Sequence, residues 1–121
     1  MSESLAELVG RLGRPRLLVV GDVILDKYVW GQVDRISPEA PIQVLDVQRE
    51  EYRPGGAGNV AVNLARLEAD VRLLGIVGGD PESQVLNELL REQGVDTDLL
   101  TPDPERPTTV KTRMIAHGQQ V

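Results

Sequence analysis

Apolar positions recur along this chain with two different periods, and the alternation between them outlines an α/β order of elements. Leu5, Leu8, Val9 and Leu12 lie at helical spacing, with Ser2 or Ser4 placed to cap the helix and Gly13-Arg14-Pro15 to stop it. Leu17-Leu18-Val19-Val20 is a continuous apolar run, the form of a strand buried on both faces of a parallel sheet, and Gly21-Asp22 closes it. Two later segments differ. Tyr28-Val29-Trp30 and Ile42 to Val47 are short and half-polar, separated by Ser37-Pro38-Glu39-Ala40-Pro41. They predict exposed antiparallel strands outside the core, over about residues 27–32 and 42–49.

Pro54-Gly55-Gly56-Ala57-Gly58 then breaks the pattern. A helix is predicted from Asn59 to Leu67, with Val60, Leu64 and Leu67 on one face and Ala61 and Ala65 beside them. Val71 to Val77 predicts a second apolar strand, ended by Gly78-Gly79-Asp80. Pro81 suits the first turn of a helix reaching about Gln93, buried through Val85, Leu86, Leu89 and Leu90, with Gly94 at C′. A short strand over Asp98 to Thr101, a turn from Pro102 to Pro107 and an alternating strand from Thr108 to Ala116 follow. His117-Gly118 reads as a hairpin turn, and Gln119-Gln120-Val121 as a return strand cut short, so the chain is expected to be the N-terminal part of a longer protein. The whole is an α/β sheet with a small strand excursion inserted after its first core strand.

Composition narrows the chemistry. A length of 121 residues allows one domain at most, and 40% hydrophobic with 26% charged residues is a globular balance. The core must be aliphatic, because Tyr28, Trp30 and Tyr52 are the aromatic residues. Without cysteine there are no disulfides, thiolate metal sites or Cys nucleophiles. No apolar run approaches the roughly 20 residues that span a bilayer. Met1 to Gly13 carries acids and no signal-peptide apolar region, so the expected compartment is the cytoplasm. Thirteen basic against 19 acidic residues give a net charge of −6, and the stretch from Asp80 to Arg106 holds eight acids against Arg91 and Arg106. There is no basic stripe for nucleic acid. A small anion would need a few cations placed locally.

Three constellations could supply chemistry. Gly55-Gly56-Ala57-Gly58-Asn59 opens a helix; its glycines admit close approach, its free N–H groups favour oxygens, and Asn59 adds a donor and an acceptor. The same residues also read as a plain glycine turn with an Asn cap. Asp22 and Asp26 flank a turn beyond the first core strand, where open α/β sheets bind ligands and where a carboxylate can accept two polyol hydroxyls. Either could also be a turn or cap residue, Asp22 more readily than Asp26. Lys111 and Arg113, two apart on a strand, share a face that could hold a phosphate or simply meet solvent. His117 reads as surface, and no metal cluster, Ser–His–Asp set or Walker loop is present. Gly56 to Ala61 also fits the G-x-G-x-x-A dinucleotide fingerprint, with Asp80 as ribose acceptor. That fingerprint should follow a buried strand, and Gln48 to Pro54 is polar and ends in Pro, so the context fails.

Val20 to Asp26 followed by Gly55 to Ala61 resembles the ribokinase-type (PfkB) sugar kinases. Within them, Asp34 to Pro41 and Pro107 to Arg113 are closely similar to the heptose-7-phosphate kinases of lipopolysaccharide core assembly, which many bacteria fuse to an adenylyltransferase. The similarity runs from Leu17 to Val121, and Arg35-Ile36-Ser37-Pro38-Glu39-Ala40-Pro41 is its most specific part. The resemblance implies the N-terminal portion of a ribokinase-like three-layer α/β/α fold with a small β-sheet lid, residues 1–121 forming an incomplete kinase domain. It implies transfer of the ATP γ-phosphoryl, with Mg²⁺, to the anomeric hydroxyl of a sugar phosphate. Asp26, Gly55, Gly56 and Asn59 would hold sugar hydroxyls, Lys111 and Arg113 would lie near the sugar or its phosphate, and Arg35 on the lid would close over it. The lid strands would also make a homodimer contact. Two departures stand out. Glu68 replaces the family's usual Gly or Ser at a helix end, which predicts a less comfortable cap. The family's Gly-Ala-Gly-Asp segment, with its general base, has no counterpart here, nor has the nucleotide-binding half. No catalytic residue is therefore expected in this chain, which alone should be inactive. A stand-alone sugar-phosphate-binding module and a dinucleotide-binding oxidoreductase domain are the alternatives.

Overall fold

The computed structural model describes residues 3–36, 43–117 and 119–120. Ser2, the connection from Ser37 to Pro41, Ile42, Gly118 and Val121, on which some expectations fall, lie outside the described residues. The chain forms α1 (Leu5–Gly10), β1 (Arg16–Val20), β2 (Val23–Ile36), β3 (Gln43–Gly56), α2 (Ala57–Arg66), β4 (Asp70–Gly78), α3 (Pro81–Glu92), β5 (Leu100–Asp103), β6 (Thr109–Ala116) and β7 (Gln119–Gln120). Parallel strands β1-β4-β5 make one sheet, and β3-β2-β6-β7 make a second, in which β2 pairs antiparallel with β3 and parallel with β6.

The core lies where α2 and α3 cover one face of the first sheet and the root of the second. Val71, Leu73 and Val77 of β4 meet Leu86 and Leu90 of α3, Ala61 and Val62 of α2, and Val23 and Leu25 of β2. Helix α3 begins as its sequence signals: Pro81 follows Asp80, whose carboxylate accepts the Ser83 N–H at 3.0 Å, and Gly94 has φ +85° just past the end. Ser4 caps α1 by accepting from the Glu7 N–H, yet Leu5, Leu8, Val9 and Leu12 are all exposed.

Several boundaries and faces differ from the sequence expectation. Strand β1 is half-buried on one face and open on the other: Leu18 is 56% and Val20 64% exposed, because α2 and α3 both pack on the opposite side. The inward face of α2 is Ala57, Gly58, Ala61 and Val62, whereas Val60 and Leu67 are exposed. A Cβ on Gly58 would stand 3.3 Å from Pro54 and 3.5 Å from Leu90, so the start of the helix packs closely on its neighbours. The two exposed segments are parts of long strands of 14 residues each, and Val29 is buried. Gln48 to Pro54 belongs to β3, an edge strand that tolerates Pro. The glycine motif therefore does follow a strand, though an antiparallel one outside the parallel sheet. β5 starts two residues later than expected and includes Pro102, again at a sheet edge. Glu68 has φ +70° beyond the end of α2, a left-handed conformation that costs a non-glycine residue about 1–2 kcal/mol, as its departure from the family pattern implied.

Candidate functional site

The site forms where β2, β3 and the start of α2 meet. Gly56 turns the chain from β3 into α2 with φ +57°, and a side chain there would overlap the Asp22 carbonyl. That carbonyl accepts the Ala57 N–H at 2.8 Å, locking the turn against the start of β2. At Gly55 a Cβ would lie 2.6 Å from Oδ2 of Asp26, so this glycine vacates the space that the Asp26 carboxylate fills. Asp26, Gly55, Gly56 and Asn59 all line one cavity of about 580 Å³. Its second-sheet wall adds Tyr28, Glu51 and Arg53, and its helical wall adds Val62, Arg66, Leu89 and Gln93. Arg66 Nε donates to Gln93 Oε1 at 3.2 Å across that wall.

The strand register spreads charge across the sheet beside Asp26. Asp26 is the Cα partner of Arg53 on β3 and of Lys111 on β6, and Tyr28 is the partner of Glu51 and Arg113. Partnered residues project to one face, so Lys111 and Arg113 do share a face with Asp26, but neither lines the cavity. Arg113 Nη1 donates to Tyr28 Oη at 2.9 Å, and its Cζ lies 5.5 Å from that ring's centroid. Arg53 Cζ lies 4.8 Å from the same ring. Tyr28 stacks on Trp30 at 5.7 Å, and Arg49 covers Trp30 at 4.0 Å. The backbone of Arg35 pairs with Val44 near the far end of β2, nine residues or roughly 30 Å of extended strand from Asp26.

Asp22 and Asp26 do not act as a pair flanking a turn. Asp26 sits within β2, and Asp22 lines a second cavity, with Val20 and Leu74 from β1 and β4. Asp80 is occupied. It accepts from Thr108 Oγ1 at 2.6 Å, from Thr108 N at 2.8 Å and from Ser83 N. The Thr108 hydroxyl bond, seconded by its backbone N–H, holds the Asp80 carboxyl below its ordinary value. A carboxylate so engaged is not available to a ribose, which removes the acceptor from the dinucleotide reading. Tyr28, Glu51, Arg53, Arg66 and Gln93 escaped the sequence reading. The signal for two of them, Glu51 and Arg53, was the alternation Arg49, Glu51, Arg53 in β3, legible only once that polar segment is known to be a strand.

Residues 14–121 match the profile of the pfkB family carbohydrate kinases. The chain is 47% identical over 119 residues to the bifunctional protein HldE of Pelobacter propionicus, covering 98% of this chain and 24% of that protein. It is 52% identical over 111 residues to the D-beta-D-heptose 7-phosphate kinase of Bordetella bronchiseptica, covering 92% of this chain and 35% of that one. It thus spans about a quarter to a third of the length of these curated relatives. A carbohydrate kinase from Agrobacterium tumefaciens superposes with a TM-score of 0.71 at 28% identity, over 88% of this chain and 34% of that one. Ribokinase from Cryptococcus neoformans, solved in complex with ADP, superposes with a TM-score of 0.66 at 26% identity, over 88% and 33%.

Proposed function

Since the chain belongs to the pfkB family of carbohydrate kinases, we propose that it is the sugar-binding part of a kinase that phosphorylates heptose 7-phosphate at the anomeric hydroxyl, on the route to ADP-heptose for lipopolysaccharide core. The observation that carries this reading is the convergence of Asp26, Gly55, Gly56 and Asn59 on one cavity. The Asp26 carboxylate accepts hydroxyl hydrogens, the glycines let a sugar ring approach the backbone, and Asn59 donates and accepts at the start of α2. Lys111 and Arg113 add positive charge beside the bound sugar, and Arg35 belongs to the lid that closes over it.

In the reaction the anomeric oxygen attacks the γ-phosphorus of ATP, the bond to the β-phosphate oxygen breaks, ADP leaves, and the hydroxyl proton passes to a general base. The family resemblance supplies ATP and Mg²⁺ to this proposal. The share of the chemistry assigned to this chain, from the lining of the cavity, is to bind and orient the acceptor sugar. The long β3 edge supports the second sheet as a homodimer contact. No helix among the described residues is long and apolar enough to cross a membrane, and the reading places the protein in the cytoplasm.

Calorimetry with heptose 7-phosphate tests the binding role, and a coupled ADP-release assay tests the division of labour. The protein should bind the sugar phosphate without turning over ATP. Absence of binding would overturn the sugar-site reading; turnover by the 121 residues alone would overturn the claim that the general base lies elsewhere.

A further inference from the structure

The geometry points to Arg53 as the residue that distinguishes a phosphorylated sugar from a plain one, with Glu51 as its built-in counter-ion; the inference rests on the sugar-phosphate reading above. Two register rows define the lid face beside the cavity: Arg53, Asp26 and Lys111 in one, and Glu51, Tyr28 and Arg113 in the next. These positions bring three cations against two carboxylates, a local excess of positive charge on a chain whose net charge is −6. Of the three cations, Arg53 is the one that lines the cavity together with Asp26. Arg113 is engaged with the Tyr28 hydroxyl.

Arg53 is also prepared to receive an anion. Its guanidinium lies over the Tyr28 ring, which limits its rotamers at little cost in charge. Its Nη2 contacts Glu51 Oε2 at 3.1 Å, with the two side chains 55% and 45% exposed. An ion pair that open to water contributes little, so a phosphate able to accept two parallel N–H bonds displaces Glu51 easily. The displaced carboxylate returns to solvent and stays paired with water. A plain sugar offers no such exchange and leaves the pair closed.

The test compares heptose and heptose 7-phosphate binding by calorimetry in the protein and in Arg53→Gln, Arg53→Lys, Glu51→Gln and Arg66→Gln. Arg53→Gln should weaken heptose 7-phosphate binding roughly 10- to 100-fold, the span of a charge-assisted hydrogen bond, with heptose itself changed less than about threefold. Arg53→Lys should restore part of the loss. Glu51→Gln should strengthen heptose 7-phosphate binding a few-fold, an effect no folding defect imitates. Equal loss of both ligands in Arg53→Gln, or loss of the preference in Arg66→Gln instead, would overturn the assignment while leaving the sugar site intact. Failure of the unaltered protein to bind either ligand would overturn the underlying reading and this inference with it.

Discussion

Gly55 and Asp26 illustrate what a single position can and cannot disclose. Each carries a signal in the sequence, a glycine in a glycine-rich run and a carboxylate after a core strand. Their dependence on one another appears only in space, where an alanine Cβ at 55 would stand 2.6 to 2.8 Å from the Asp26 carboxyl atoms. Gly55→Ala should therefore push the carboxylate out of the cavity and weaken sugar binding at least tenfold, the price of one misplaced charged hydrogen-bond acceptor. Its melting temperature should fall by only a few degrees, since a short side chain can swing away. Calorimetry alongside a thermal melt checks both, and unchanged affinity would show that Asp26 does not hold the sugar from this position. Arg53 was hidden for a different reason. A period of two assigns residues to faces only after a segment is known to be a strand, and Pro54 argued against one.

At the scale of elements, the order of helices and core strands was legible because apolar spacing and caps are local properties. Pro81 and Gly94 bracket α3 as the sequence indicates. The lengths of β2 and β3 were not legible, because half-polar residues become strand when a partner strand satisfies their backbone, and the partner is remote in sequence. Asp80 shows how elements are joined: it caps α3 and also binds Thr108, the residue before β6, so one carboxylate ties the core helix to the second sheet. Its folded-state pKa is depressed. The stabilisation it gives is therefore present above the unfolded value near 3.9 and is lost as pH falls through the lower folded value. In Asp80→Asn, urea midpoints should drop by an amount equivalent to about 1 kcal/mol at neutral pH. The variant should also lose part of the decline that the unaltered protein shows below pH 4. An unaltered acid profile would show that another carboxylate governs that limb.

Across the whole molecule, two sheets share one aliphatic core, and the first sheet keeps one face open among the described residues. Leu18, Val20 and Ile76 lie exposed on that face. Replacing Leu18 and Val20 together by Thr puts a β-branched strand former at each position. It should move stability by no more than about 0.5 kcal/mol per site while sharply lowering the binding of an apolar fluorescent dye. Unchanged dye binding would show that this face is already covered in solution. By itself the sequence determined the family and the order of elements and singled out Asp26, Gly55, Gly56 and Asn59 as candidates, because motifs, caps and periodicity are written in neighbouring positions. The tertiary structure alone decided which sheet each strand joins, which face of α2 turns inward, and that Arg53 rather than Lys111 or Arg113 enters the cavity. Those outcomes depend on register and close approach between segments tens of residues apart, and no local pattern records them.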